Sequence, residues 1–516
     1  MVGSDSARQS AAASTRFQDS SNKTISRAEI WFLVAVCTLA AGRILYGAAA
    51  LPFFADTDEN AHFDLIHKFY RGEWPATNHT LHDKETVKVW IFDGSPEYLN
   101  APGTLGVKNG FPPPVRAWAP TAATENYIRS QWESPGRGKL PNHEAHEPPV
   151  YYSIAAIWYA CGQALGLSPA SSIYWVRFLN APLFVGLVIT AFLFSRRYLD
   201  AKIAWCVTTL TALFPNVIYF TINADVLSPL VVLITLYLLF RWYEADHPGI
   251  GLAAACGLMA AVSILAKLTN TAVLVPTAAI VFLRLRHERN WRTALAQAGP
   301  LILCAALPPF LWALRNRLVL GDWSGSAEKI LAQTWTPKPW SEIFDHPLFT
   351  LTGPMRFLRA LFISFFAGDS HWHGSPVDFL PGQYFFLGTT AVLPIVALIG
   401  TFRDRRNRPL PCLVAGISAL LVCSYLAELS VLSLRWDFGI NPYPSREFPF
   451  FAFGRLIGGA IVPLLALEVL AIAFLTRNRV LWMAIGVAVI GGMMILSQAV
   501  FLQMTISSQF NWFHLP

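Results

Sequence analysis

The chain has 516 residues, of which 54% are hydrophobic and only 14% are charged, and its net charge is +7. Soluble domains carry about a quarter of charged residues, so this composition excludes an ordinary soluble protein and favours a polytopic membrane protein. The basic residues lie in short clusters between apolar segments, and no nucleic-acid-binding motif is found, so we expect membrane lipid rather than nucleic acid as a partner.

The chain begins with a polar segment rich in Ser and Ala, residues 1–28, whose composition predicts a disordered cytoplasmic tail. No small-residue cleavage site follows the first apolar segment, so we expect a retained anchor rather than a cleaved signal peptide. Twelve apolar segments approach the roughly 20 residues needed to cross a bilayer. They are residues 30–54, 148–167, 174–195, 203–222, 226–243, 250–266, 271–283, 297–314, 384–402, 410–430, 456–476 and 480–501.

Basic residues indicate how many of these segments cross, because cytoplasmic loops carry the excess of Lys and Arg. If segment 148–167 does not cross, four basic clusters and the N-terminal tail all face the cytoplasm. These clusters lie at Arg196 to Lys202, Arg284 to Arg292, Arg403 to Arg408, and Arg477 to Arg479. Segment 148–167 begins with two prolines and is rich in aromatic residues, which suits a helix lying in the membrane interface.

We therefore expect an all-α polytopic membrane protein with about eleven transmembrane helices, periplasmic juxtamembrane helices, the N-terminus inside and the C-terminus outside. The alternative is that segment 148–167 crosses and a short span elsewhere is miscounted. Long Gly/Ser-rich linkers are absent, so no separate soluble domain is expected. After the tail we distinguish a catalytic membrane module at 29–290 with outer loop 55–173, and a C-terminal membrane region at 291–516 with outer loops 315–383 and 431–455.

An acidic cluster follows the first apolar segment and contains Asp56, Asp58, Glu59 and His62. Asp58 can cap a helix that continues through this cluster, which brings Glu59 and His62 within one turn of each other. A carboxylate at a membrane edge can accept the proton of a hydroxyl group, so we take Asp58, Glu59 and His62 as candidate catalytic residues. The alternative is a helix cap followed by a solvated loop face.

Other polar residues lie beside the predicted outer face. His146 and Glu147 open the interfacial helix and can orient a ligand, Asp225 lies in a short turn between two spans, and Lys267 interrupts a nearly continuous apolar stretch. Ionisable groups at such positions are costly and usually functional, so Lys267 is a candidate ligand of a phosphate group. The alternatives are polar caps for His146, Glu147 and Asp225, and snorkelling of Lys267 to the interface.

Several arginines also fall on the predicted outer face, against the usual charge distribution of membrane proteins. Arg446 and Arg455, which immediately precede a span, are the best candidates for binding a phosphate group, because Arg pairs bidentately with phosphate oxygens. The alternative for each is a contact with a lipid headgroup. The chain has no nucleotide-binding Gly-rich loop, no nucleophile elbow and no His-Glu-x-x-His metal site. A divalent metal, Mg or Mn, held by Asp58 and Asp225 stays open.

The order of these motifs resembles that of the GT-C membrane glycosyltransferases, a superfamily that includes the protein O-mannosyltransferases and the bacterial aminoarabinose transferases. Asp58-Glu59 with His62 resembles their acidic motif after the first span, and the stretch from His146 to Tyr152 resembles their segment before a juxtamembrane helix.

Further matches follow in the same order. Arg177 resembles the Arg at the start of the next span, Asn223-Ala224-Asp225 resembles their second outer acid, and the turn around Lys267 resembles a Leu-Thr-Lys-like turn. The resemblance covers residues 30–290, and Phe453-Gly454-Arg455 is similar to a Gly-Arg-Tyr element of related proteins. Arg177, Asp225 and Lys267 are therefore candidate substrate-binding residues.

The resemblance implies an inverting transfer of a sugar from a polyprenyl-phosphate donor to an acceptor hydroxyl outside the membrane, with a glycan, lipid or protein as acceptor. Short inner loops favour a bacterial inner membrane. An oligosaccharide ligase or polymerase of surface polysaccharide is the alternative, since it also needs many spans and phosphate-binding arginines. A lipid or sugar transporter fits less well, because its polar groups would gather at the bilayer midplane.

Overall fold

The computed structural model describes residues 24–54, 58–74, 80–93, 142–286, 288, 290–369, 371–372, 375–439, 443–508 and 510–514. Most of the predicted tail 1–28 and much of the predicted outer loop 55–173 lie outside the described residues, as does Asp56.

The described chain is almost entirely helical, as the composition predicts. The first nine helices are α1 (Arg27–Ala50), α2 (Glu59–Tyr70), α3 (Lys84–Asp93), α4 (Pro149–Ala164), α5 (Pro169–Phe178), α6 (Asn180–Tyr198), α7 (Ala201–Leu213), α8 (Ser228–Glu244) and α9 (Ile250–Ala266). The remaining eight are α10 (Leu274–Leu285), α11 (Trp291–Leu320), α12 (Ala327–Ala332), α13 (Gly353–Ala367), α14 (Leu380–Arg403), α15 (Pro409–Arg435), α16 (Ile461–Leu475) and α17 (Val480–Ile506).

Short 3₁₀ turns join several helices, at Val217–Phe220, Ala224–Leu227, Leu268–Val273, Trp340–Asp345, Pro347–Phe349, Gly454–Ala460 and Trp512–His514. The described strands are four pieces of two residues each: β1 (Thr336–Pro337), β2 (His371–Trp372), β3 (Ser375–Pro376) and β4 (Trp436–Asp437). β1 pairs antiparallel with β4, and β2 pairs antiparallel with β3. The β1–β4 pair ties two of the predicted outer loops together.

Nine described helical segments are long and apolar enough to cross a membrane, and α7 and α9 are shorter apolar helices. Together they coincide with the eleven predicted spans. These helices are identified as candidate spans by their length and composition alone, so the number of helices that cross the membrane stays a prediction. One predicted span, 203–222, is interrupted: α7 ends at Leu213, because Pro215 forces the preceding residue out of the helical conformation.

The core of the bundle is α16, in which every residue from Ile461 to Ala473 is buried. It packs against α14, α15 and α7. Apart from the buried Glu468, this helix is hydrophobic on every face, and such a helix belongs in the interior of a bundle. At Gly459, just before α16, a Cβ atom would lie 2.1 Å from the Tyr425 hydroxyl, so glycine permits this close packing.

Helices α2 and α4 pack against each other, and neither is a candidate span. Whether segment 148–167 crosses stays a prediction, because α4 is too short to count as a candidate span by length alone. Pro149 is in the first turn of α4, where its missing N–H leaves no hydrogen bond unmade. The pair α2–α4 positions the polar residues on either side of it.

The buried carboxylate of Asp64 on α2 holds the segment that precedes α4. It accepts hydrogen bonds from the Asn142 side chain at 2.7 Å, from the backbone N–H of Asp83 at 2.7 Å, and from Lys68 and Thr86. Asn142 also donates to the carbonyl oxygen of Ala61 at 2.9 Å. These bonds fix the start of the segment 142–148 against α2.

Candidate active site

Eight ionisable side chains meet where α2, the segment before α4 and four other parts of the chain converge. We call them the charged cluster: Asp58, His143, Glu144, Glu147, Asp225, Lys267, Lys329 and Arg455. Five of them, Asp58, Glu147, Asp225, Lys267 and Arg455, are predicted site residues. Residues almost 400 positions apart in the sequence are thus in direct contact.

Asp58 stands at the N-cap of α2 with a left-handed backbone (φ 68°), a conformation that Asp tolerates better than most residues. One carboxylate oxygen accepts a hydrogen bond from His143 Nε2 at 2.9 Å, and the other accepts one from Arg455 at 3.2 Å. Burial opposes ionisation, but the hydrogen bond from His143 and the charges of Arg455 and Lys329 hold the pKa of Asp58 well below its usual range. Asp58 is therefore ionised at neutral pH.

Arg455 bridges two carboxylates. Besides Asp58, its guanidinium contacts Asp225, with Nε 3.4 Å from Oδ2, and it lies 5.3 Å from the centre of the Phe453 ring. Asp225 is positioned by Asn223, whose side chain accepts a hydrogen bond from the Asp225 backbone N–H and caps the 3₁₀ turn. Because Arg455 lies between Asp58 and Asp225, these two acids share a cation that belongs to the protein itself.

Two lysines complete the charged cluster. Lys267 Nζ lies 3.2 Å from Glu147 and 3.7 Å from Asp225, and Lys329 Nζ contacts Glu144 and lies 3.6 Å from Glu147. Lys267 is the C-cap residue of α9. Its backbone is extended, and the 3₁₀ turn Leu268–Val273 follows it directly. Its observed contacts are with carboxylates, and its predicted role as a phosphate ligand stays a prediction.

The charges of this cluster nearly balance. Four carboxylates face three permanent cations, and a protonated His143 makes the two sums equal. Burial disfavours the charged form of His143, but the hydrogen bond to Asp58 and the charge of that carboxylate raise the pKa of His143. Burial likewise opposes ionisation of Glu144, yet the charges of Lys329 and Lys267 lower its pKa to about 2. Mutual neutralisation allows so many charges to lie together at low exposure.

Glu59 and Arg177 are brought together by the fold, but away from the charged cluster. Both side chains are fully buried, and Arg177 donates to both carboxylate oxygens of Glu59 at 2.7 Å. Arg177 also donates to the carbonyl oxygens of Leu51 and Pro52, and Glu59 accepts from the backbone N–H of Ile222 at 2.9 Å. These contacts fix the end of α1 to α2 and α5. Their predicted catalytic and phosphate-binding roles stay predictions, and their contacts are those of a positioning pair.

His62 is buried on α2, and its Nδ1 lies 2.7 Å from the hydroxyl group of Tyr152 on α4. Burial, followed by the nearby charge of Lys267, lowers the pKa of His62 to about 3. His62 is therefore neutral at physiological pH and links the two juxtamembrane helices beside the charged cluster.

The other two predicted site residues lie at the edge of the cluster or beyond it. His146 Nε2 is 3.1 Å from Glu328 on α12, and both side chains are buried. Arg446 is exposed and donates twice to Asp437, at 3.0 Å each. Its observed contacts are with this loop partner rather than with the charged cluster.

Three members of the cluster were missed by the sequence reasoning: His143, Glu144 and Lys329. A signal for the first two is present in the sequence Asn142-His143-Glu144-Ala145-His146-Glu147, where a His-Glu dipeptide repeats after three residues. No local signal distinguishes Lys329, which α12 carries into the cluster from the loop between α11 and α13.

Asp58, His143 and Glu144 offer one donor atom each within 4.8 Å of one another, a spacing that could hold a metal ion. Two carboxylates and an imidazole are donors that suit Zn²⁺ or Mn²⁺ better than Mg²⁺, which prefers oxygen ligands. However, Arg455 and Lys329 contact the same two carboxylates, so a metal ion would compete with these cations. The residues fit a divalent metal only if one of these cations moves away.

One small cleft adjoins the cluster and is lined by Arg455, Asn216, Asp369, Val217, Ile218 and Gly368. A second cleft shares Val217 and Gly368 with the first and is lined mostly by apolar side chains of α13, α14 and α17, including Phe386 and Phe501. Apolar space therefore continues away from the guanidinium of Arg455.

Solved structures that resemble this chain include a bacterial ArnT and an archaeal oligosaccharyltransferase. ArnT from Cupriavidus metallidurans has 13% sequence identity in its apo state (TM-score 0.45) and 14% when bound to undecaprenyl phosphate (TM-score 0.44); each match covers 93% of this chain and 78% of that one. The oligosaccharyltransferase AglB from Archaeoglobus fulgidus, in complex with an inhibitory peptide and a dolichol-phosphate, has 10% identity (TM-score 0.41), with 93% and 56% coverage. Such distant likeness describes only the course of the helices.

The chain spans about half the length of the archaeal oligosaccharyltransferase chains that it matches. No curated protein matches the sequence. Residues 44–435, which are well over half of the chain, match the model of a family described as predicted membrane protein DUF2142. With its long apolar helices and this match, the chain is an integral membrane protein, and it belongs to the DUF2142 family.

Proposed function

We propose that this protein is an inverting glycosyltransferase that moves a sugar from a polyprenyl-phosphate donor to an acceptor hydroxyl at the extracytoplasmic face of a membrane. The observation that carries the proposal is the charged cluster itself. It combines the ionised carboxylate of Asp58 with three cations and several buried carboxylate oxygens that accept no hydrogen bond.

The buried oxygens favour a ligand rich in hydroxyl groups. Within the described part of the chain, Oε2 of Glu144, Oε2 of Glu147 and both carboxylate oxygens of Asp225 accept no hydrogen bond. A buried acceptor without a donor costs about 1–3 kcal/mol, so a ligand that supplies donors is bound favourably. Sugar hydroxyl groups are such donors.

The cations favour a phosphate group. Arg455 holds Asp58 and Asp225 at 3.2 and 3.4 Å, which are long distances for charge-assisted hydrogen bonds. A phosphate group offers Arg455 shorter, bidentate contacts, with Lys267 as a second point charge. The side chains beyond Val217 and Gly368 are mostly apolar, which favours contact with the isoprenoid chain that such a phosphate would carry.

In the proposed reaction, the acceptor O–H gives its proton to Asp58. The acceptor oxygen forms a bond to the anomeric carbon from the face opposite the phosphate. The bond between that carbon and the phosphate oxygen breaks, and its electron pair stays on the phosphate, which Arg455 and Lys267 stabilise. The configuration at the anomeric carbon is thereby inverted. Positioning and charge stabilisation supply most of the rate enhancement.

The low pKa of Asp58 makes it a weak base while Arg455 and His143 hold it. Transfer of Arg455 to the donor phosphate removes one of these contacts and raises the proton affinity of Asp58. Binding of the donor therefore activates the base, and His143 keeps the carboxylate oriented. The extracytoplasmic location rests on the distribution of basic residues, and short inner loops favour the inner membrane of a bacterium.

The test uses the purified protein in lipid nanodiscs with a panel of radiolabelled polyprenyl-phosphate sugars. We expect at least one labelled lipid to be consumed, and the Asp58→Asn variant to consume it at least about 100-fold more slowly, the lower bound for a general base. Asp200→Asn is the matched control, because Asp200 is exposed, pairs with Arg408 and lies far from the cluster in the fold. Transfer at the normal rate by Asp58→Asn, or no consumption of any labelled lipid by the unaltered protein, contradicts the proposal.

A further inference from the structure

Large apolar side chains are exposed in a part of the chain that does not span the membrane. They belong to the stretch that follows β1 and includes the first residues of α13, which we call segment 340–355. The exposed fraction is 76% for Trp340, 76% for Phe344, 54% for Phe349, 100% for Leu351 and 64% for Met355. Contiguous apolar surface of this kind is rare in contact with water and marks an interaction surface.

The exposure is built into the fold of this segment. His346 is buried: its Nε2 donates to the carbonyl oxygen of Pro449 at 2.9 Å, and its Nδ1 accepts from the backbone N–H of Leu348 at 3.0 Å. The rings of Phe344 and Phe349, on either side of His346, lie 5.3 Å apart. His346 thus pins the segment to the protein while the two rings point away together.

The neighbouring helix indicates where this surface lies relative to the membrane. Segment 340–355 runs directly into α13, and Arg359 on α13 lies 5.7 Å from the ring centre of Tyr384. Tyr384 is 59% exposed in the first turns of α14, a candidate span, so it faces lipid near the membrane boundary. Tyr residues favour that boundary, and Arg favours the phosphates of the headgroups.

We propose that segment 340–355 inserts into the membrane leaflet on the side of the charged cluster. Trp340, Phe344, Phe349, Leu351 and Met355 then lie among the acyl chains, and Arg356 and Arg359 on α13 lie at the level of the headgroups. Met355 precedes Arg359 by about one helical turn, and Arg359 contacts the exposed Tyr384 ring at the start of a candidate span, which favours a lipid occupant over a second protein.

Insertion has a consequence for the site. The loop that contains segment 340–355 also contains α12, which carries Lys329 into the charged cluster. An inserted segment holds this loop at the membrane surface and keeps Lys329 at the depth of the lipid headgroups. This inference concerns membrane contact and does not depend on the reaction that the site catalyses.

The experiment uses the unaltered protein in nanodiscs that contain a phospholipid with a photoreactive diazirine near the end of an acyl chain. After illumination and digestion, we expect lipid adducts on peptides that cover residues 340–355 and on peptides from the spans. Adducts are assigned to single residues, and Ser324, an exposed polar position of the same loop, serves as the internal control and is expected to carry none, in contrast to its exposed neighbour Trp323.

The double variant Phe344→Ser, Leu351→Ser is expected to reduce adducts on segment 340–355 severalfold and to leave those on the spans unchanged. Both side chains are exposed, so this variant removes no buried packing. Adducts on the spans without any on segment 340–355 of the unaltered protein would overturn the inference. Peptides from this segment cross-linked to a second protein chain, in place of lipid, would overturn it as well.

Discussion

The buried pair of Glu59 and Arg177 can be broken by the substitution Glu59→Gln, which keeps the size of the side chain and removes its charge. Both residues are fully buried, and the carboxylate accepts two hydrogen bonds from Arg177 and one from the backbone of Ile222. The substitution leaves the arginine charge buried without its partner. Loss of one member of a buried ion pair costs about 3–5 kcal/mol, and we expect a destabilisation of that order.

The assay is unfolding of the purified protein in detergent, followed by the loss of helical signal on heating. The control is Asp200→Asn, which breaks the exposed pair of Asp200 with Arg408 at 3.1 Å. An exposed pair contributes about 0–1 kcal/mol, so this variant is expected to unfold close to the unaltered protein. The double variant Glu59→Gln, Arg177→Met is expected to recover part of the loss, because it removes the unpaired charge.

An unfolding curve of Glu59→Gln that coincides with that of Asp200→Asn would refute this reasoning. Glu59 would then contribute little to the stability of the fold, and its predicted catalytic role would be favoured over a positioning role.

Three further predictions concern the same region. The pKa of His62 is lowered to about 3 in the folded protein, against about 6.5 in the unfolded chain. Between these two values the unfolded chain binds more protons, so the free energy of unfolding falls as the pH falls from about 6.5 to about 3. His62→Gln should flatten the dependence of the unfolding temperature on pH. Gly454→Ala places a Cβ 2.0 Å from the Phe365 backbone nitrogen and should cost about 1–3 kcal/mol in unfolding measurements, whereas Gly416→Ala, with no atom within 4 Å, should not destabilise. Transfer that survives in a strong chelator would exclude a metal ion bound by Asp58.

Much of the fold can be predicted from the sequence because long apolar segments have few alternatives to transmembrane helices. The interfacial character of segment 148–167 is predicted from its prolines and aromatic residues together with the distribution of positive charge, and it stays a prediction. The sequence analysis did not predict that the helix in segment 203–222 ends before Pro215. Mean hydropathy is averaged over a window of residues, and one proline changes that average very little. Nothing in the local pattern of segment 340–355 separates an exposed apolar loop from a buried one.

The site was predicted in part. Charged residues in or beside apolar segments are unusual. This local pattern is sufficient to predict Asp58, Asp225, Lys267 and Arg455 as candidates. Glu59 directly follows Asp58, but Asp58 stands before the helix with a left-handed backbone that the sequence does not reveal. The carboxylate of Glu59 therefore turns towards Arg177 while that of Asp58 faces the cluster. Lys329 lies in a polar loop where a lysine is ordinary, and only tertiary packing distinguishes it.

The central claim is that the charged cluster binds the phosphate of a polyprenyl lipid through Arg455. Equilibrium binding of undecaprenyl phosphate to the protein in nanodiscs tests this claim directly, with Arg71→Gln as the control, because Arg71 pairs with Glu73 and Asp83 outside the cluster. We expect Arg455→Gln to weaken binding roughly tenfold or more, the effect of one charge-assisted hydrogen bond, and Arg71→Gln to leave it unchanged. Equal affinities of Arg455→Gln and the unaltered protein would contradict the claim.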